Sequence, residues 1–123
     1  MSRRVSSLGK TWIFDLDGTV VKHNGYKLDG HDTLLDGAKE FFDALPEGDM
    51  VIFITARLPE YRELTEDFLN RSGISYDEII YGVPFGERIL VNDAKPSGLE
   101  TAIAVNTKRD KFMTEEFIID EQL

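Results

Sequence analysis

The sequence predicts an α/β fold: a three-layer sandwich around a mainly parallel five-stranded sheet, in one domain covering residues 1–123. Three observations predict it. Short β-branched and aromatic runs alternate with segments whose apolar residues recur at three- and four-residue steps, the pattern of strands and helices taken in turn. One run, Met50 to Ile54, is apolar throughout, as in a strand covered on both faces. Polar signatures (Asp15/Asp17, Thr55 and Asp93) stand directly behind three of the runs. In a parallel sheet those strand ends share one edge, which is where ligands bind.

The first strand is Thr11 to Phe14, and it leaves through Asp15-Leu16-Asp17-Gly18-Thr19, with Gly18 allowing a sharp exit. An Asp-Gly turn joining two strands is the plain alternative. Val20 to Leu28 reads as a short excursion with a hairpin tip at Asn24-Gly25. Leu34 to Leu45 reads as a helix through Leu34, Ala38, Phe41, Phe42 and Leu45, stopped by Pro46-Glu47-Gly48. Met50 to Ile54 is the second strand, ending in Thr55-Ala56-Arg57. Pro59 opens a second helix with Tyr61, Leu64, Phe68 and Leu69 on one side and Gly73 past its end. Strands are expected at Ile79 to Tyr81, Arg88 to Val91 and Thr101 to Val105. Residues 1–10 form an N-terminal extension. Residues 106–123 form a tail packing on the core, in which Glu115 to Leu123 reads as a closing helix or an added edge strand.

Composition narrows the chemistry. The chain has no cysteine and two histidines, His23 and His31, which excludes thiolate nucleophiles and thiolate zinc sites. Both histidines lie in polar loops and read as solvent-exposed. A metal would be a hard cation held by oxygens, which suits Mg²⁺. The net charge of −9 repels polyanions, so nucleic acid is not an expected partner, although a local basic pocket could hold a small anion. No apolar run reaches the length of a membrane span, and the basic opening lacks the apolar stretch of a secretory signal. No membrane association and a cytoplasmic location are therefore expected.

Asp15-Leu16-Asp17-Gly18-Thr19 behind its apolar strand resembles the first motif of the haloacid dehalogenase superfamily, most of whose members are Mg-dependent phosphatases. Thr55 resembles its second motif and Asp93 its acidic fourth, in the expected order from Thr11 to Val105. The Thr-Ala-Arg and Gly-x-Pro sequences are also similar to small capsule-biosynthesis phosphatases and to the phosphatase part of polynucleotide-end-repair enzymes. The resemblance implies that Asp15 attacks phosphorus to give an aspartyl phosphate, and that Asp17 moves the proton of the leaving oxygen and of the incoming water. It implies Mg²⁺ held by Asp15, Asp93 and the backbone carbonyl of Asp17. Thr55, with the N–H groups of Ala56 and Arg57, would bind another phosphate oxygen. The Arg57 side chain would either orient substrate or form a surface salt bridge.

The third motif of that superfamily is a Lys or Arg, and here Gly82-Val83-Pro84 puts an apolar residue in its usual place. Lys95, two residues beyond Asp93, is the expected substitute, with Arg88 the other candidate. Asn92 stands where many relatives carry a second acid. Neither gap between motifs has room for a cap domain, so the site should be open, partly covered by the Asn24-Gly25 hairpin or closed by a neighbouring subunit of a homo-oligomer. The expected function is Mg-dependent hydrolysis of a phosphomonoester, with a sugar phosphate or related metabolite as substrate. The alternatives are a phosphate-binding or regulatory domain without turnover, and a polynucleotide-end phosphatase, which the net charge opposes.

Overall fold

The computed structural model describes residues 2–123. In chain order the elements are β1 (Ser2–Val5), β2 (Thr11–Asp15), α1 (Gly25–Leu28), α2 (Ala38–Asp43), β3 (Met50–Ile54), a 3₁₀ turn (Pro59–Tyr61), α3 (Arg62–Arg71), β4 (Glu78–Ile80) and β5 (Glu116–Ile119). They fall into two compact units: Gly9–Pro84 with Thr107–Met113, and residues 2–8, 85–106 and 114–123.

The first of these units is built on a parallel sheet of order β2-β3-β4, with Thr11 opposite Met50, Asp15 opposite Ile54, and Ile54 opposite Ile80. Alternation along the strands sends Phe14, Val51, Phe53 and Ile79 inward. Phe53 is wholly buried. Around it α2 contributes Phe42, α3 contributes Leu69, and the loop after β2 contributes Leu16, Val20 and Val21. Phe14, Phe41, Phe42 and Phe53 meet at centroid distances of 5.0–6.5 Å, mostly edge-on, an arrangement the ring quadrupoles favour. The tail enters this core through Phe112, which stacks on Phe14 at 6.0 Å and an interplanar angle of 9°. Asp49 ties the start of β2 to β3, accepting from the Lys10 N–H at 3.0 Å and from Trp12 Nε1 at 2.9 Å. α3 ends in a left-handed Gly73, φ +73°, with the Ile74 N–H returning to the Leu69 carbonyl at 3.0 Å.

In the other unit β1 and β5 pair in parallel, Ser2 opposite Glu116 and Val5 opposite Ile119. Ion pairs Arg3–Glu115 (2.8 Å) and Arg4–Asp120 (3.0 Å) flank the pair. The tail segment left open between helix and strand is thus a strand. Its partner, β1, lies in the N-terminal extension, where Ser-Arg-Arg-Val offers one apolar residue and no strand signal.

The fold is α/β with parallel sheets, but the five strands form a three-stranded and a two-stranded sheet, not one five-stranded layer. The described residues do not assemble the expected three-layer core. Arg88–Val91 and Thr101–Val105 carry no ladder; Ile89 and Val91 are 85% and 88% exposed. β-propensity reports fit to a pleated surface beside a neighbour, and without that neighbour an apolar run stays extended loop. Asn24-Gly25 is not a hairpin tip: Asn24 takes a left-handed φ of 55° and opens α1. The first long helix begins at Ala38, not Leu34, because Leu34 bridges to Val21 and Gly37 breaks the helix at φ +93°.

Candidate active site

The parallel run of β2, β3 and β4 brings their carboxyl ends to one edge of the unit. Beyond Asp15 the backbone keeps its strand-like alternation for two residues: Leu16 turns inward to 1% exposure, and Asp15 and Asp17 on either side remain partly exposed. The loop then closes on its own backbone. The Leu16 carbonyl accepts from the N–H groups of Thr19, Val20 and Val21 at 3.2, 2.9 and 3.1 Å, and the Gly18 N–H donates to the Val21 carbonyl at 2.7 Å. Gly18 sits at φ +82°, which side-chain-bearing residues rarely adopt. Thr19 Oγ1 donates to Asp15 Oδ2 at 3.2 Å.

Thr55 follows β3 and is wholly buried. Its N–H donates to the Ile80 carbonyl at 2.9 Å, and its carbonyl accepts from the Val83 N–H at 3.0 Å. Gly82 N–H donates to the Arg57 carbonyl at 2.7 Å, so the segment Gly82-Val83-Pro84 is latched onto Thr55–Arg57. Thr55 Oγ1 accepts from the Arg57 N–H at 3.1 Å, a local turn bond. Among the described residues nothing engages the Ala56 N–H, which leaves a backbone donor at this edge.

Arg57 is neither on the surface nor available to a substrate. Its side chain is 1% exposed, and all five N–H donors are committed. Nε and Nη2 donate to Asp17 Oδ2 and Oδ1 at 3.0 and 2.9 Å. Nη1 and Nη2 donate to Asp32 Oδ2 and Oδ1 at 3.0 and 2.7 Å, and Nη1 also donates to Thr65 Oγ1 at 2.9 Å. The guanidinium lies 3.9 Å over the Tyr26 ring. Burial alone would lower the Arg57 pKa; hydrogen bonds and charge from Asp32 and Asp17 outweigh it and raise the value. In place of the two roles expected for this side chain, orienting substrate or forming a surface salt bridge, the guanidinium forms a buried fork that fixes Asp17.

Asp32, Thr65 and Tyr26 are absent from the sequence-based site. Thr65 was legible: it stands four residues before Leu69, on the same helical face, so its hydroxyl points inward. Asp32 lies in a polar stretch, where only the need of a buried Arg57 for a second acid would single it out.

Asp93 and Lys95 belong to the other unit. The Asp93 carbonyl accepts from Thr101 Oγ1 at 2.6 Å, and Asn92 Nδ2 donates to the Thr101 carbonyl at 3.2 Å. Lys95 heads a Pro96-containing turn, with its carbonyl bonded to the Gly98 N–H at 2.8 Å and its N–H to the Leu99 carbonyl at 3.1 Å. Among the described residues no three Asp, Glu or His side chains group as a metal cage. The Asp15–Asp17 loop nevertheless offers hard oxygen donors, and Mg²⁺ commonly takes one or two carboxylates and completes its shell with water and substrate phosphate. The donor set fits that ion.

The tail reaches the same loop. Asp110 N–H donates to the Gly18 carbonyl at 2.8 Å, and Asp110 Oδ1 accepts from the His23 N–H at 2.7 Å. A Cβ at Gly18 would stand 3.3 Å from Arg109 Cγ and 3.7 Å from His23 Cβ. His23 is therefore half-buried beside the loop; His31 is exposed.

No protein-family model matches this sequence, and no curated protein matches it. Solved structures do. A chain of the Pnkp1/Rnl/Hen1 complex shares 32% identity at a TM-score of 0.53, over 69% of this chain and 32% of that one. A chain of the Pnkp1/Rnl/Hen1 RNA repair complex shares 33% identity at a TM-score of 0.52, over 64% and 27%. The protein thus spans about a third of the length of the chains it matches. These neighbours come from a multi-protein RNA repair complex. They do not bear out the charge-based expectation against nucleic acid, and they lend no support to a sugar phosphate. Among the described residues no helix is long and apolar enough to cross a membrane.

Proposed function

We propose that this chain is a phosphatase of the haloacid dehalogenase type that removes a terminal phosphate from a polynucleotide. The observation that carries the reading is the Asp15–Thr19 loop: two carboxylates on one self-bonded turn at the carboxyl edge of a parallel sheet, in a chain that over about two thirds of its length is about a third identical to part of chains of an RNA repair complex. Asp15 is the nucleophile. Attack on phosphorus forms the Asp15 O–P bond as the ester O–P bond breaks, and water then releases phosphate. Asp17 carries the proton to the leaving oxygen and takes one from the water. Each Asp17 oxygen accepts one Arg57 N–H and keeps a second lone pair for this task. The Ala56 N–H supplies a fixed donor to a phosphate oxygen. Mg²⁺ on Asp15 and the Asp17 carbonyl would supply charge neutralisation. Asp93 and Lys95 enter on sequence position alone, as a further metal ligand and a phosphate-neutralising cation.

The test is phosphate release from RNA oligonucleotides phosphorylated at either end, sugar phosphates and an aryl phosphate, with Mg²⁺ or chelator, for native protein and Asp15→Asn. Mg-dependent release that favours the oligonucleotide and vanishes in the variant is expected. Equal or better turnover of sugar phosphates would refute the substrate class. A second reading, a phosphate-binding domain without turnover, is favoured by one observation: Arg57 has no donor left and Val83 supplies no charge. Phosphate binding without release from any compound would establish it.

A further inference from the structure

Three of the fourteen Lys and Arg residues of this acidic chain fall between positions 108 and 111. The segment Lys108-Arg109-Asp110-Lys111 is a built turn, closed by a hydrogen bond from the Lys111 N–H to the Lys108 carbonyl at 3.1 Å. Asp110 holds a left-handed φ of 64°, a conformation that Asp tolerates better than most residues and that persists where its surroundings impose it. What imposes it here is the site loop: the Asp110 N–H bonds to the Gly18 carbonyl, and its carboxylate takes the His23 N–H. The Arg109 stem lies over Gly18, between Asp17 and Thr19 in sequence.

The acid of this turn is spent on the backbone, not on its neighbours. Lys108, Arg109 and Lys111 are exposed, and among the described residues none forms an ion pair, although the chain carries 23 acidic side chains. A solvated charged face would be expected to mix signs. A fixed turn with three unpaired cations to one acid, set against the loop of the proposed nucleophile, is instead a local excess of positive charge on an acidic protein.

We propose that Lys108, Arg109 and Lys111, pinned to the Asp15–Thr19 loop through Asp110, form a cationic rim that takes the phosphate backbone of a single-stranded polynucleotide beside its terminal phosphate. The assignment rests on the phosphatase reading for what the strand is presented to, and it deepens that reading by naming how the polymer is held. Single strands suit it because a short turn can follow a flexible backbone, whereas the net charge of the chain discourages broad contact with a duplex.

The test separates binding from turnover. Fluorescence anisotropy of a labelled single-stranded RNA is followed across salt concentrations for native protein and for Lys108→Gln/Arg109→Gln/Lys111→Gln, with circular dichroism to check the fold. The rim predicts a dissociation constant raised about tenfold or more at low salt, and a log–log salt slope shallower by about 2, from three lost phosphate contacts. If the triple variant does not fold, Lys108→Gln/Lys111→Gln keeps the Arg109 stem over Gly18 and should show a proportionate part of both changes. Native affinity and slope in the variants, or no RNA binding by the native protein, overturns the rim. Aryl phosphate turnover by the native protein is measured in parallel. Its absence together with rim-dependent RNA binding would remove the phosphatase reading and leave the rim standing.

Discussion

Replacing Arg57 with Met keeps most of the buried volume and removes five hydrogen bonds. Asp32 then suffers most. Its side chain is 1% exposed, and among the described residues both of its oxygens accept only from Arg57, so Arg57→Met strips this interior carboxylate of both of its described bonds. Asp17, 18% exposed, recovers part of its loss from water. Breaking a buried pair from one side costs about 3–5 kcal/mol, and loss of the guanidinium stacked at 3.9 Å on Tyr26 adds about 1 kcal/mol. A loss of about 4–6 kcal/mol is a large share of the roughly 5–15 kcal/mol that holds a domain folded. Urea unfolding followed by Trp12, the single tryptophan and a member of the aromatic core, reads it directly. Adding Asp32→Asn to Arg57→Met should return about 2 kcal/mol, because the stranded charge is then gone. A cost below about 1 kcal/mol for Arg57→Met, or no recovery in the double variant, would refute the view that the fork compensates the buried charge of Asp32.

Phe112→Ala should lower stability by about 2 kcal/mol, less than for a fully buried Phe because the ring is half-exposed, and the same urea titration checks it. Gly18→Ala places a Cβ at φ +82° and 3.3 Å from Arg109 Cγ; about 1–2 kcal/mol of destabilisation is expected, and the Asp110 contact should loosen, seen as faster amide exchange at Asp110. Tyr81 is held above the ordinary tyrosine range, first by burial and then by its hydrogen bond to Glu66 at 2.9 Å. A raised phenol stabilises the fold fully below about pH 10 and progressively less as pH climbs through the raised value. Absorbance titration should therefore show a late phenolate that Tyr81→Phe removes.

The sheet edge was legible where strand and chemistry are continuous in sequence. Asp15 and Asp17 follow an alternating strand, Thr55 follows an apolar one, and the structure puts all three at the carboxyl ends of parallel β2 and β3. What could not be read depends on contacts distant in sequence. Arg57 resembles any cation after a strand until Asp17, Asp32 and Thr65, separated from it by 40, 25 and 8 residues, close around it. Arg88–Val91 has the composition of a strand, but composition does not supply a neighbour. β1 shows the reverse: Ser-Arg-Arg-Val carries one apolar residue, and it becomes a strand by pairing with the apolar β5 across more than a hundred residues. The Lys108–Lys111 turn was hidden by a global charge count, which averages over position.

The latch at Gly82-Val83 has a consequence for how the site could be altered. Because the Val83 N–H is fixed to the Thr55 carbonyl at 3.0 Å and the Gly82 N–H to the Arg57 carbonyl at 2.7 Å, the main chain at position 83 is anchored beside the strand end irrespective of its side chain. The cation that the haloacid dehalogenase resemblance would place here is thus a matter of one residue type on a frame already built. Grafting Val83→Lys would ask the frame for no new backbone geometry, which makes this position a natural starting point for engineering the turnover proposed above.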